Sequence, residues 1–234
     1  MSAHENLTAS PQSIADDDSA RPLTPLAPPT RSGEEWANAL SHGVAAFLAL
    51  PLAYWLIAMG LQRETTMAVA CAVYMLAVFG TFLFSTLSHV IFTQPGHNRM
   101  RACDQAMIYA MISGTYTPIV VKYCPANLML WVLAAMWSYT LWAMINKVFL
   151  HGRVNNISPV GYLMLGWLPS LPLYSNVPSG LGLAMLIGGL MYTIGVVILF
   201  CDNRARYLHV VWHLMVIVAA LTHYMAIMQW VVLA

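Results

Sequence analysis

The chain has 234 residues, a formal net charge of +1 at pH 7, 59% hydrophobic residues and 8% charged ones. Soluble domains carry about 25% charged residues, so this surface is too poor in charge for water. The near-neutral balance, with no basic patch interleaved with aromatics, excludes nucleic acid as a partner, and the long apolar runs indicate a polytopic membrane protein whose partner is the lipid bilayer.

Residues 1–35 stand apart. "SPQSIADDDSARPLTPLAPPTRSGEE" is rich in Pro, Ser, Ala and Asp and lacks aromatics. It cannot bury a core and is expected to be a disordered cytoplasmic tail. No basic stretch is followed by an apolar run, so it is not read as a signal peptide.

Residues 36–234 are expected to form one all-α transmembrane domain. Seven apolar spans are predicted, near 36–60, 66–92, 102–123, 126–148, 157–175, 179–201 and 207–232. Each meets the length of about 20 residues that a helix needs to cross hydrocarbon. The runs are continuous, without the period-two alternation of barrel strands. Short loops such as "LQRETT", "TQPGHNRMR", "HGRVNN" and "CDNRAR" make sequential helices antiparallel neighbours. Arg31, Arg99, Arg101, Lys147, Arg153, Arg204 and Arg206 fall on the N-terminal side, with Arg63 and Lys122 on the other. The positive-inside rule then puts the N-terminus in the cytoplasm and the C-terminus outside, in the inner (plasma) membrane.

Within the spans, Pro118 interrupts the third, and Pro169 and Pro172 the fifth. They predict kinks whose freed carbonyls are satisfied by neighbouring Ser or Thr, or kinks that shape an internal cavity. In the sixth span Ala184 and Gly188, four apart, predict close helix packing. Cys71, Cys103, Cys124 and Cys201 form no C-x-x-C pair and are read as free, packed thiols.

Ionisable groups inside the spans are His42, His89, Asp104, His209, His213 and His223. Such groups are costly in lipid and mark function. With alternating helices, the end of the second span and the starts of the first, third and seventh share one leaflet. That brings His89, Asp104, His209 and His213 to a common depth, with His42. His209 and His213 are one turn apart, about 5–6 Å at Cβ. Two imidazoles so placed can ligate one zinc ion, and His89 supplies a third nitrogen. Three protein ligands leave a fourth position for water, the pattern of a catalytic zinc. Asp104 would orient that water or take its proton. Ser85, four residues before His89 on the same face, would hydrogen-bond the water, the substrate or Asp104. His223 lies deeper and reads as a hydrogen-bonded core residue. His42 reads as a cap, a partner of a ligand or a bystander. His97 and His151 read as solvated loop residues.

"SHVIF" preceded by Ser85, "RMRACDQAMIYAMISGTYTP" and "LHVVWHLMV", with "EEWANALSHG" in the first span, resemble the haemolysin III branch of the progestin and adipoQ receptor family. The likeness runs from about residue 34 to 234. It implies seven helices, a cytoplasmic N-terminus and a zinc ion held by the positions of His89, His209 and His213, with the family's Asp and Ser at Asp104 and Ser85. It also implies hydrolysis of ceramide-like lipid amides, or a receptor role for extracellular hormones or steroids, with links to haemolysis and membrane-lipid homeostasis. Two positions depart from the family pattern: Ser88 stands where many members have Tyr before the second-helix His, and Gln105 where many bacterial members have His after the Asp.

The expected activity is therefore zinc-dependent hydrolysis of a membrane-lipid amide, the lipid acting as substrate or ligand. The alternative is a receptor or membrane-state sensor with a structural zinc. The loops "LQRETT", "KYCPAN" and "NVPSG" are too short to bury the roughly 800 Å² per partner of a stable protein interface. A pore-forming cytolysin ranks last, because seven apolar helices leave no soluble form. A transporter lacks a mid-membrane Lys, Arg or Glu to relay ions.

Overall fold

The structure, a computed structural model, describes residues 32–150 and 159–234, and the regular structure among them is all helical. The tail through Arg31 and the loop carrying His151 and Arg153 lie outside the described residues.

Helix α1 (Ser32–Leu61) starts before the predicted boundary, with Glu34 and Glu35 in its first turn, where acids complement the positive end of the helix dipole. It is followed by α2 (Thr65–Val90), α3 (Gly96–Tyr123) and α4 (Ala126–Ile145), which widens into a π-type turn over Asn146–Leu150. Then come α5 (Pro159–Trp167), α6 (Ser179–Phe200) and α7 (Leu208–Ala226), the last continuing as a π-type stretch over Ile227–Val232. His97, expected in a loop, lies in the first turn of α3 and bonds the Ile91 carbonyl at 2.8 Å.

Five stretches are long and apolar enough to cross a bilayer: Gly33–Leu61, Thr65–Val90, Ala126–Phe149, Ser179–Phe200 and Leu208–Val232. They coincide with the first, second, fourth, sixth and seventh predicted spans. Helix α3 has ample length at 28 residues, but Asp104, Gln105 and a middle rich in Ser, Thr and Tyr lower its hydropathy. It compensates by being buried, with inward residues from Ala102 to Val120. Its Thr115 and Thr117 hydroxyls donate to the carbonyls of Met111 and Ser113 at 2.8 Å, and the helix runs through Pro118 unbroken.

The fifth predicted span is corrected. Its α-helix ends at Trp167, after nine residues, and Leu168–Ser170 forms a single 3-10 turn with Pro169 near its start. Pro169 and Pro172 lack an N–H, and their rings collide with the carbonyls four residues back. Two hydroxyls take up carbonyls at the break: Tyr116 donates to Gly166 (2.6 Å) and Ser170 to Trp167 (2.5 Å).

Helix α1 packs on α2, α2 on α3, and α7 on α6 and α1. Close approach of α6 to α7 requires glycine. A Cβ at Gly188 would lie 2.2 Å from His223 Nε2, and one at Gly195 would lie 2.6 Å from the Trp212 ring. The small-residue spacing anticipated that contact at Gly188. At the far end of α7, Arg63 donates to the Val232 and Leu233 carbonyls (2.8 and 2.5 Å) and Lys122 to Val231 (2.7 Å). These are helix-end carbonyls with no partner inside the helix. The bonds gather the α1–α2 turn and the ends of α3 and α7 at one end of the bundle. At the other, Arg206 Nε donates to Glu34 Oε1 at 3.0 Å, tying the segment before α7 to the start of α1. All four cysteines are free.

Candidate metal centre

The end of α2 and the first turns of α7 carry the three expected histidines to that second end. The chain enters α7 through Tyr207, whose φ of 64° is unusual for a non-glycine residue and which precedes the first helical residue, Leu208, so that His209 lies in the first turn. One ring nitrogen from each of His89, His209 and His213 lies within 4.8 Å of the others. Nitrogens sharing one zinc are at most about 4.2 Å apart, twice the bond length, so a small rotation of the rings closes the set. Ring centroids are 5.1 Å apart for His89–His209 and His89–His213, and 4.7 Å for His209–His213. His213 is buried, while His89 and His209 are partly buried.

The other nitrogen of each ring is engaged. His89 Nδ1 lies 2.7 Å from Glu35 Oε2, and His209 Nδ1 lies 3.0 Å from Asp202 Oδ2. His213 Nδ1 lies 3.2 Å from the Asn38 carbonyl and 3.1 Å from Ser41 Oγ, which itself donates to that carbonyl at 2.8 Å. Carboxylates and carbonyls accept, so each Nδ1 carries a proton and Nε2 is the nitrogen that a metal would take. This is how metal-binding histidines are held in tautomer and orientation. His89 Nε2 is buried and has no hydrogen-bond partner, and a buried polar atom left so is costly unless something else occupies its lone pair. Three imidazoles that each keep Nδ1 engaged and leave Nε2 for a metal fit zinc or another imidazole-binding divalent metal.

Asp104, at the start of α3, is within electrostatic reach of His89 and His209. The single Ser88 hydroxyl proton lies within reach of two acceptors, Asp104 Oδ2 at 3.2 Å and the Ser85 carbonyl at 2.9 Å. Ser85 is buried and is a second hydroxyl contact of the same carboxylate. The five expected site residues thus share one end of the bundle, and Ser88 binds the acid directly. The Gln105 backbone carbonyl accepts from the buried Tyr162 hydroxyl at 2.9 Å.

His42 belongs beneath the cluster. It is 3% exposed and stacks on His213, with centroids 3.7 Å apart and planes 7° from parallel. Neither of its ring nitrogens has a hydrogen-bond partner. His223 is not brought to the cluster. Sequence reasoning missed Glu35, Asn38, Ser41 and Asp202. The first three, with His42, sit three to four residues apart on one face of α1, a polar stripe at the start of an apolar helix. Asp202 lies in the turn before α7, where spacing carries no signal.

A cavity of about 650 Å³ opens between α3, α5, α6 and α7, within the usual range of about 300–1,000 Å³ for ligand sites. Its lining includes Ile108, one turn beyond Asp104, and Trp212, next to His213.

The sequence profile described as "Haemolysin-III related" matches residues 31–224. The chain is 35% identical over 189 residues to "Hemolysin-3" of Bacillus cereus, covering 79% of this chain and 85% of that protein. It is 30% identical over 185 residues to "Hemolysin-3 homolog" of Bacillus subtilis, covering 77% and 86%. It is also 30% identical over 210 residues to the human "Monocyte to macrophage differentiation factor", covering 84% of each.

Proposed function

The chain belongs to the haemolysin-III-related family of multi-pass integral membrane proteins, and from that membership and the histidine cluster we propose that it is a zinc-dependent hydrolase of a membrane-lipid amide. The observation that carries this reading is the convergence of three imidazoles, each with Nδ1 engaged, beside a carboxylate that carries serine hydroxyls. In this reading α1–α4, α6 and α7 cross the bilayer as helices, and the chain crosses a seventh time through the short α5 and the proline-broken turns that follow it. Arg99, Arg101, Lys147, Arg204 and Arg206 flank the histidine end, and Arg63 and Lys122 the other, which supports a cytoplasmic histidine end.

Zinc held by His89, His209 and His213 would supply Lewis acidity toward an acyl carbonyl and a water nucleophile at neutral pH. Glu35, Asp202 and the Asn38 carbonyl keep the three Nε2 lone pairs turned inward. Asp104 takes the proton of the attacking water and returns it to the nitrogen as the C–N bond breaks. Ser88 and Ser85 orient the Asp104 carboxylate. The lipid's chain lies in the cavity that begins one turn from Asp104.

The test is release of fatty acid from ceramide and related lipid amides by purified protein. Asp104→Asn is expected to lower kcat by about 10²–10⁴-fold with metal content unchanged. Wild-type protein inert on a broad panel of lipid amides would defeat the enzymatic reading. An Asp104→Asn variant as active in cells as wild type would favour a sensor with a structural zinc.

A further inference from the structure

The cavity is not uniformly apolar. His223, from the middle of α7, lines it and is 5% exposed. Its Nε2 lies 3.4 Å from the Met185 carbonyl, which can only accept, so the ring proton sits on Nε2. The Nε2 edge is pressed against α6 at Gly188, and Nδ1 lies on the other side of the ring, buried and without a hydrogen-bond partner. It is a bare acceptor in an apolar setting, a costly arrangement unless a donor reaches it.

A second underused group stands beside it. Tyr192 also lines the cavity, its ring centroid 5.7 Å from that of His223. Its hydroxyl is directed at Met111 Sδ, 3.9 Å away, a weak acceptor. An acceptor nitrogen and a donor hydroxyl, carried by neighbouring rings of the cavity wall, complement a group that both donates and accepts. An alcohol does both, whereas a ketone or ester only accepts and a methylene does neither.

We propose that His223 and Tyr192 form a hydroxyl-recognition point, and that the cavity takes a single-chain lipid bearing a hydroxyl part-way along its chain. The ligand hydroxyl donates to His223 Nδ1 and accepts from the Tyr192 hydroxyl. The inference rests on the reading above that the cavity holds the lipid chain. His223 follows His213 by ten residues, about 15 Å along a helix axis. An extended chain advances about 3.5 Å for every three bonds, so the hydroxyl falls roughly a dozen bonds from the metal end.

Trp167 and Trp212 line the same cavity and report occupancy by their fluorescence. The experiment titrates full-length protein in nanodiscs with octadecanoic, 12-hydroxyoctadecanoic and 12-oxooctadecanoic acids, with and without a metal chelator. The hydroxy acid is expected to bind about tenfold more tightly than the other two, as one or two net hydrogen bonds imply. Tyr192→Phe and His223→Leu are each expected to reduce that preference to about twofold or less. Tyr192→Phe removes one oxygen and keeps the proposal testable if His223→Leu does not fold. Equal affinities for the three acids, no binding of any, or a preference that survives Tyr192→Phe overturns it. Because binding is read with chelator present, failure of lipid-amide turnover leaves this result independent, and turnover without hydroxyl preference sinks the recognition point alone.

Discussion

At the scale of single residues, the site depends on what holds each imidazole. Glu35 and Asp202 accept from the Nδ1 atoms of His89 and His209. Replacing either with its amide leaves a carbonyl acceptor but removes the negative charge that strengthens the bond and fixes the ring. Glu35→Gln and Asp202→Asn are each expected to weaken zinc binding by about 10–100-fold, read by chelator competition, with helix content unchanged. His42 makes a contrasting case. It supports His213 by its face, and neither of its nitrogens has a partner, so its polarity contributes nothing to the fold. His42→Phe is expected to bind zinc within about twofold of wild type and to raise stability by about 1 kcal/mol, through removal of unsatisfied polar groups. A large loss of zinc in that variant would mean that a His42 nitrogen takes part in the site. The convergence of His89, His209 and His213 was legible in the sequence, because one-turn spacing and alternating helices fix their depth. Asp202 was not, because a turn residue seven positions before His209 has no periodicity to betray it.

The helices divide into those that composition reveals and those that context makes. Five have the length and apolarity to be read directly. Helix α3 carries Asp104, Ser113, Thr115 and Thr117 because neighbouring helices bury it, so its polarity reports its central position. Its Ser113 and Thr140 of α4 share a hydrogen bond of 2.7 Å. The fifth span misled in length, because hydropathy ran through Pro169 and Pro172 while the backbone could not. Helix α6 is legible in its glycines. At Gly188 there is no room for a side chain against His223. Gly188→Leu is expected to force α6 from α7 and lower stability by about 1–3 kcal/mol, measured as a drop in Tm of the purified protein. Gly182, whose Cβ would meet only Val177 at 3.8 Å, should accept alanine with little change.

Over the whole molecule, alternation of short loops carries the argument from sequence to site. It brings the end of α2 and the starts of α1, α3 and α7 together, although His89 and His213 are more than a hundred residues apart. The Arg63, Lys122 and Glu34–Arg206 contacts fix the same alternation from both ends. A cysteine introduced at Asn203 should be labelled by impermeant reagents from the cytoplasmic face alone, and one at Gln62 from the outside alone. Reversed labelling would invert the orientation and put the candidate centre at the outer face. What spacing could not supply was the cavity, because its walls come from four helices whose facing sides depend on rotation about each axis.

The account stands on three imidazoles from α2 and α7 sharing one cation. Elemental analysis of purified wild-type protein beside His209→Ala tests this most directly. The account predicts about one zinc per chain in the wild type and less than about a tenth of that in the variant, since loss of one of three protein ligands leaves too few to retain it. Equal zinc in both, or a wild type that purifies without zinc from zinc-supplemented cells, would contradict it.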